Sequence, residues 1–394
     1  MWEEKIVSRS HKRRGVSFAF VAVGIVMLLG MAALTVDVGM IYRARAESQA
    51  SADAAAMAGA WELLDRDRLS GDGNMTEELA AARAEAIQTA ARNLVINEGP
   101  DVDANSGNGS GGDLVVGYLE DPNDPDAALT FTNPNEYNTV VVRVRRDAVR
   151  NGPIDLFFAP VFGHLTSEVS AEAWATFKDG VVGYQPTDQT GNADLLPFAL
   201  HRNSWQNLLD GVFTAGDNYT YNSATGAVSA GADGIPELNL YPGGGAGQLP
   251  PGNFGTVDIG PSNNSTADLS RQIRYGVSQE DLEVFGGELV LGADGTLELN
   301  GDTGLSAGVK DDLEAIKGRP RAIPIFSAVS GNGNNSMYTI VGFVGIRIMY
   351  VKLTGSQSSK KVLIQPAYVV DDSVITDAGS GPSYFVYKPV YISR

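Results

Sequence analysis

The stretch that decides the fold is GVSFAFVAVGIVMLLGMAALTV, residues 15–36. It carries no charge over about 22 positions, and a helix needs about 20 residues to cross the hydrocarbon core of a bilayer. The sequence therefore predicts one membrane-spanning helix. A buried helix of a soluble protein is disfavoured, because two arginines abut the run and no other apolar stretch of helix length is present to pack against it.

The charges on either side of the span predict its orientation. Basic residues precede it, at Lys5, Arg9, Lys12, Arg13 and Arg14. The first charge after it is acidic, at Asp37. Because basic flanks stay in the cytoplasm, we expect a single-pass protein of the cytoplasmic (inner) membrane. Residues 1–14 then form a cytoplasmic tail, residues 15–36 lie in the lipid bilayer, and the bulk of the chain is periplasmic.

A cleaved signal peptide is the alternative interpretation, since it also begins with basic residues and continues into an apolar run. The apolar region of a signal peptide usually has about 7–15 residues, and this run is longer. The small-residue stretch Met31, Ala32 and Ala33 lies inside the run rather than after it. Retention of the helix is therefore favoured, and the N-terminal residue of the mature protein decides between the two.

Composition excludes several classes of function. The chain has 394 residues, 47 acidic against 29 basic, and a net charge of -18, which opposes attraction to nucleic acid. It has 0 cysteines and 3 histidines, so thiolate and imidazole-rich metal sites are hard to assemble. We expect no enzyme activity, no cofactor, no metal and no nucleic-acid partner.

An ordered set of residues surrounds and follows the span. Its members are Arg13, Arg14, Gly15, Asp37, Gly39, Tyr42, Ala52, Asp53, Ala54, Ala55, Ala56 and Gly59. Together they resemble the N-terminal signature of the TadE/TadG-like proteins of Flp (tad) pilus assembly. Residues 140–177 are similar to the later part of the same family's membrane-proximal domain. The resemblance implies partners among other pilus-assembly or secretion membrane proteins.

Two departures from that family bear on function. Many pilin-like members have a glutamate five residues after the basic-glycine junction, a residue linked to processing, and Phe20 stands there. The resemblance thus implies a permanently anchored accessory protein of the TadG-like type. Larger members often carry a von Willebrand type A domain with an Asp-x-Ser-x-Ser metal motif, and no such string occurs in this sequence.

The sequence predicts an α+β chain with two domains beyond the membrane, at residues 37–180 and 181–394. In the first domain, residues 41–64 lack proline and are rich in alanine, which predicts a helical stalk. Met57, Trp61 and Leu64 recur at helical spacing and predict its buried stripe. Asn74, with Glu77 three residues later, has the spacing of a capping box, and predicts a second helix ending at Gly99 and Pro100.

The rest of the first domain is expected to be a sheet on which the long helix packs, as in pilins. Residues 101–112 predict an exposed loop and residues 153–163 a short helix interrupted at Pro160. Strands are predicted at residues 114–119, 128–132, 139–146 and 169–175.

The second domain is predicted to be loop-rich, mainly antiparallel and α+β, after a boundary at residues 178–193. Helices are expected at residues 266–275 and 307–317, the latter capped by Ser306. A turn at residues 293–295 predicts a hairpin. Strands are expected at residues 288–291, 296–299, 322–327, 338–353 and 361–370.

Several short motifs favour structural explanations. Residues 217–237 are acidic, but the positions before Asp233 offer no ligand oxygen, so turn chemistry is favoured over calcium binding. The string Gly-x-Ser-x-Gly around Ser306 is typical of hydrolases, yet no histidine follows it, and helix capping is favoured. Residues 331–336 are expected to join two strands, and residues 358–361 to be a solvated loop. Asp37 either pairs with Arg43 or a partner helix or stands free in water.

Three hypotheses about function follow. The leading one is a structural component of Flp pilus assembly or related secretion that tethers an interaction domain outside the membrane. The alternative is an anchored carbohydrate- or matrix-binding surface protein, favoured by the Tyr- and Asn-containing loops at residues 218–264. The third is an exported hydrolase that uses Ser306.

Overall fold

The computed structural model describes residues 14–64, 75–178, 180–212, 215–240, 255–261, 265–302, 307–331, 336–356, 359–377 and 384–394. Over these ranges the protein is mixed helix and sheet, so the predicted α+β class is confirmed.

The first helix, α1, extends over 49 residues, Arg14–Glu62, without a break. At 1.5 Å per residue it is about 74 Å long. The predicted span and the predicted stalk are therefore one continuous helix. Its apolar window has a mean hydropathy of 2.3 and is almost wholly exposed, and by length and composition the helix is able to cross a membrane.

Shorter helices follow along the chain. They are α2 Thr76–Arg92, α3 Arg202–Leu209, α4 Thr266–Tyr275, α5 Gln279–Leu282 and α6 Lys310–Ala315. The strands are β1 Leu114–Gly117, β2 Thr139–Arg146, β3 Ile154–Asp155, β4 Thr166–Ser167, β5 Val169–Lys178, β6 Val181–Tyr184, β7 Leu200–His201, β8 Tyr219–Asn222, β9 Ala227–Ala230, β10 Leu238–Asn239, β11 Thr256–Val257, β12 Leu289–Val290, β13 Leu297–Asp302, β14 Pro320–Ser330, β15 Ser336–Lys352, β16 Lys361–Pro366, β17 Val369–Val370, β18 Val374–Thr376 and β19 Val386–Ile392.

Two larger sheets organise these strands. One has the order β1-β2-β5-β19-β17, and the C-terminal strand β19 lies antiparallel to β5 with Tyr391 opposite Thr176. The other has the order β10-β16-β15-β13-β11, and β14 also pairs with β15 and carries β7 on its other side. Most pairings are antiparallel, as predicted, while β7 with β14 and β17 with β19 are parallel.

The chain divides into two compact units. The first unit contains Met1–Ala55, Ala86–Val115 and Val141–Ala173. The second contains Ala56–Glu85, Val116–Val140 and Trp174–Arg394.

The second unit is built around β15, which is 17 residues long and pairs on its two sides with β14 and β16. Apolar side chains from this strand enter two buried clusters. Trp205 of α3 is fully buried in one of them, with its ring edge-on to those of Tyr384 and Phe385. Tyr184 of β6 is fully buried in the other.

Some predicted helices differ in extent from those of the structure. The helix predicted to stop at Gly99 ends at Arg92, because Ile96 and Asn97 adopt positive φ and make a tight turn in which Val95 pairs with Glu98. Asn74, its predicted cap, lies outside the described residues.

The predicted buried stripe of Met57, Trp61 and Leu64 was wrong. Trp61 is exposed, and Met57 and Leu64 are half-buried. The small residues Ala52, Ala55, Ala56, Gly59 and Ala60 are buried instead. Leu63, just past the end of α1, is fully buried too, so the buried stripe of Ala56, Ala60 and Leu63 is the predicted one shifted by one residue.

Two other predictions were wrong because long-range pairing overrode local composition. Residues 128–132 form no strand beyond a single bridge, in which Thr130 and Tyr118 exchange backbone hydrogen bonds. The turn at residues 293–295 forms, but β12 and β13 on its two sides pair with different sheets and make no hairpin.

The polar run at residues 178–193 contains strand β6, which pairs with β12 and β18. This pairing requires a glycine, since a Cβ at Gly183 would lie 2.3 Å from the carbonyl oxygen of Leu289. The remaining strands predicted in the second half are present, with β16 and β17 as two separate strands.

The buried ring of Trp205 gives a test of the second unit's core. We expect Trp205→Ala to lower the free energy of unfolding by about 3–5 kcal/mol, because it leaves a large cavity, and Trp205→Phe to lower it less. Thermal unfolding of the detergent-solubilised chain, followed by near-ultraviolet circular dichroism, measures this. Trp61→Ala is the control, since that ring is 44% exposed; equal losses for Trp61→Ala and Trp205→Ala would contradict the assignment.

Candidate functional site

The site centres on Asp37, the first charged residue after the apolar run of α1. Its side chain is buried, with 2% of its surface exposed. Its Oδ1 accepts a hydrogen bond from the backbone N–H of Phe157 at 2.8 Å, and its Oδ2 accepts from the N–H groups of Phe158 at 2.9 Å and Ala159 at 2.6 Å. Hydrogen bonds to a charged acceptor are the strong ones. The carboxylate therefore binds a segment 120 residues away in sequence.

Burial and hydrogen bonding act on the Asp37 carboxyl in opposite directions. Desolvation by burial raises its pKa, and the three backbone donors lower it. The donors prevail in sum, so the pKa lies below its ordinary value. Asp37 is therefore ionised at neutral pH although it is buried.

The segment that Asp37 binds is a short hairpin, residues 154–167, which we call the exit hairpin. Its strands β3 and β4 pair Ile154 with Ser167, and the N–H of Leu156 donates to the carbonyl of Leu165 at 3.0 Å. A 3-10 turn, Ala159–Phe162, forms its tip, with Pro160 in the first turn. The short helix predicted over residues 153–163 is present only as this 3-10 turn: residues 154 and 155 pair as strand β3, and Gly163, with a φ of 86°, ends the turn.

The base of the exit hairpin packs against α1. Ile154 and Val169 are buried with Ala44, and Met40 and Ile41 contact the same cluster. Ala44 lies seven positions beyond Asp37, or about 10 Å along the helix axis. The hairpin therefore extends along α1 from the level of Ala44 toward the apolar run.

Neither predicted role for Asp37 was correct. Arg43 does not pair with it but forms an ion pair with Glu47, one helical turn later, at 2.7 Å. Asp37 does not stand in water either, because it is buried against its own chain. The partners lie too far away in sequence for local spacing to reveal them.

Glu47 makes a second contact of the same kind. Its Oε2 accepts from the N–H of Ile96 at 2.6 Å, where Ile96 adopts a φ of 48°, a strained value for a β-branched residue. Burial raises the pKa of Glu47, while the Ile96 N–H and Arg43 lower it, and in sum the pKa is lowered. Arg146 of β2 donates to the carbonyl of Val95 at 3.1 Å in the same turn.

A cluster of charged side chains in the first unit joins residues 101–113 to residues 145–150. Asp113 has a fully buried side chain and pairs with Arg145 and, at 3.0 Å, with Arg150. Arg150 also contacts Asp101 and Asp103, each at 2.9 Å. The sequence predicted an exposed loop at residues 101–112 and missed this cluster. The alternate spacing of Asp101 and Asp103 and the nearby basic strand were the available signals.

The structure places the sequence-predicted motif residues in three groups. Arg13 and the side chains of Arg14 and Gly15 lie outside the described part of the chain. Gly39 and Tyr42 face outward, and a Cβ at Gly39 would meet no atom within 4 Å. The buried or half-buried members are Asp37, Ala52, Asp53, Ala54, Ala55, Ala56 and Gly59.

The buried small residues accompany a close approach of two helices within the first unit. Ser51 of α1 is fully buried, and its hydroxyl donates to the carbonyl of Ala90 in α2 at 3.3 Å. Ala52 and Ala55 of α1 and Ala86 and Ala90 of α2 are fully buried as well. Asp53 takes no part in this contact and accepts a hydrogen bond from Gln49, one turn earlier, at 2.7 Å.

The structure describes the other candidate motifs only in part. Within residues 217–237, Glu237 accepts from the N–H groups of Asn218 and Tyr219, and Asp217 accepts from that of Gly234, so the predicted turn chemistry is confirmed. Ser306 and most of residues 331–336 lie outside the described ranges. Over the ranges the structure describes, no group of three or more His, Asp or Glu side chains is arranged to hold a metal ion.

Comparison with known families identifies the N-terminal part of the chain. Residues 15–62 match the TadE/G-like Flp pilus-assembly family, and residues 58–175 match the Tad-like Flp pilus-assembly family. Residues 15–175 are therefore Tad-like. The resemblance predicted from the motif around Asp37 is confirmed. No curated protein and no solved structure matches the chain.

The two Tad-like matches meet at the candidate site. Asp37 lies in the first matched segment and the exit hairpin in the second. The hydrogen bonds between Asp37 and residues 157–159 therefore connect the apolar helix to the domain that follows it. The matched segments end at residue 175, before most of the second unit.

The Asp37 contact gives a direct test. We expect Asp37→Asn to speed hydrogen exchange in the exit hairpin by about tenfold or more, because a neutral amide replaces an ionised acceptor of three N–H groups. Hydrogen exchange with mass spectrometry on the detergent-solubilised chain measures this. Asp53→Asn is the matched control on the same helix. If both variants exchange at the wild-type rate, Asp37 does not hold the hairpin.

The lowered pKa of Asp37 also fixes the direction of a pH effect. A carboxyl with a lowered folded pKa contributes stability above its ordinary value, 3.8, and that stability is lost as the pH falls through the folded pKa. Glu47 acts in the same direction. Protection of the wild-type hairpin should therefore persist at pH 5 and be lost only near or below the ordinary carboxyl range. Loss of protection between pH 7 and 5 would contradict this.

The charge cluster gives a test of the first unit. We expect Arg150→Met to lower the free energy of unfolding by about 2–3 kcal/mol, because Asp113 is left buried with one partner fewer. Arg150→Lys keeps the charge and should cost less. The free energy of unfolding of each variant is measured by denaturant titration, with protease cleavage within residues 141–173 as the signal of unfolding. Equal losses for both variants would show that the charge of Arg150 does not matter.

Proposed function

We propose that this chain is a membrane-anchored accessory component of Flp pilus assembly or of a related secretion machine. The observation that carries the proposal is the Tad-like match over residues 15–175, which supports a role related to Flp pilus assembly. In this role the chain acts by tethering and docking rather than by catalysis. Its partners are other pilus-assembly or secretion membrane proteins.

The continuity of α1 supports the tethering part of the proposal. The apolar run and the rest of α1 form one continuous helix, so no flexible joint separates the run from the residues that follow it. The Asp37 contact adds a second connection immediately after the apolar run. A domain connected in this way is held at a fixed distance from the membrane.

The retained anchor is a further part of the proposal. Phe20 occupies the position where processed pilin-like relatives have glutamate, which favours a helix that stays in the membrane. In the proposed orientation residues 1–14 remain in the cytoplasm of the bacterial cell, and residues 37–394 lie outside the inner membrane. The second unit then supplies the surface for partners.

The experiment that tests the function is deletion with matched complementation. We expect deletion to reduce the number of pili, and the full chain to restore it. A chain in which residues 15–36 are replaced by an unrelated apolar helix of equal length should also restore pili, provided Asp37 is kept. Residues 37–394 exported behind a cleavable signal peptide should fail, because the tether is lost.

Two outcomes contradict the proposal. If deletion leaves piliation unchanged and the tagged, detergent-solubilised chain retains no pilus or secretion component, the pilus-assembly role is wrong. If the exported, unanchored version restores piliation fully, the tether is unnecessary. The N-terminal residue of protein recovered after alkaline carbonate extraction checks the anchor itself: an intact terminus in the membrane pellet supports it, whereas a chain beginning after Ala33 or at Val16 shows cleavage.

A further inference from the structure

We propose that the tip of the exit hairpin is a second membrane contact, which inserts into the outer leaflet of the bilayer beside α1. The proposal rests on the membrane anchor proposed above. The tip contacts lipid, at the boundary between headgroups and acyl chains, and does not bind a partner protein.

The first step of the argument is the exposure of the tip. Large apolar side chains there point away from the protein: Phe157 is 70% exposed, Val161 84%, Phe162 72% and Leu165 67%. Single exposed apolar residues are ordinary on a protein surface, but a contiguous group of this size marks a binding surface.

The second step is the composition of the tip. Residues 156–165 read LFFAPVFGHL and include no Asp, Glu, Lys or Arg, although 19% of the chain is charged. Aromatic and aliphatic side chains without charges suit the interface between headgroups and acyl chains, where an apolar segment enters by about 5–10 Å. The tip has no basic residue and the chain has a net charge of -18, so attraction to anionic lipid does not explain the contact.

The third step is position, which selects lipid as the occupant. The backbone of Phe157, Phe158 and Ala159 is held by Asp37, the residue that directly follows the apolar run. The hairpin base packs at Ala44 and its tip extends toward the run, so the exposed side chains lie at the level where α1 leaves the membrane.

The experiment uses the full chain in lipid nanodiscs. Because the natural sequence has 0 cysteines, single cysteines can be introduced without removing others and labelled with a nitroxide. Two valines of equal exposure, 84%, form a matched pair within the first unit: Val161 at the tip and Val149 in the turn after β2. Leu28→Cys, in the middle of the apolar run, reports on the anchor itself.

We expect the Val161→Cys label to lose collisions with a water-soluble nickel chelate and to keep collisions with oxygen, which concentrates in lipid. The Val149→Cys label should collide with the nickel chelate. The Val161→Cys result should be the same in zwitterionic and in anionic nanodiscs, since the contact is apolar. In Asp37→Asn the tip label should regain collisions with the nickel chelate, because the hairpin is released.

Three outcomes overturn the proposal. Free access of the nickel chelate to Val161→Cys, with Leu28→Cys protected in lipid, shows that the tip is in water while the anchor stands. Protection of Val161→Cys from both reagents, with dipolar broadening between labels, shows that a second copy covers the tip. If Leu28→Cys is itself accessible to the nickel chelate, the anchor proposal fails, and the membrane contact fails with it.

Discussion

The structure of the first unit depends on one buried carboxylate. An ionised group removed from water must recover its lost solvation, and Asp37 does so with three backbone N–H groups from one short segment. Those groups belong to residues 157–159, whose amides are otherwise left without partners at the start of a 3-10 turn. Each side of the contact satisfies a requirement of the other. The exit hairpin therefore has one stable position on α1.

A second constraint is the size of the side chains on α1. From Ala44 to Ala60 the buried face is made of Ala, Ser and Gly, and larger residues such as Trp61 remain outside. Small residues contribute little buried area each, but they allow backbones to approach closely, as the Ser51 contact with Ala90 shows. Polar contacts add to this packing: Glu47 and Arg146 bind the turn at residues 95–98, and Arg150 pairs with Asp113.

The sequence predicted the elements whose signal is local. The apolar helix follows from composition, α4 was predicted at the bounds it has, residues 266–275, and β15 was predicted over most of its length, at residues 338–353. The family resemblance identified Asp37 as a motif residue but did not identify residues 157–159 as its partners. What local patterns do not contain is which distant segments pair, and β6, β19 and the exit hairpin all depend on such pairing.

The candidate site was not predicted for the same reason: its two parts are distant in sequence, and local patterns do not show that they pair. Residues 153–163 have a helix-like apolar composition, and the pairing of Ile154 and Asp155 with Thr166 and Ser167, which that composition does not reveal, makes the segment a hairpin. In the sequence, the charge after the apolar run and the apolar segment before β5 are separate features, 120 residues apart. The contact between Asp37 and the exit hairpin bears on the proposed anchoring. If α1 crosses a membrane as proposed, its length fixes the depth of the chain, and the hairpin bound at Asp37 makes one side of α1 differ from the others just beyond the span. Asp37 determines which side of α1 carries the hairpin, and in the proposed docking role it thereby determines from which side partners meet the helix where it leaves the membrane.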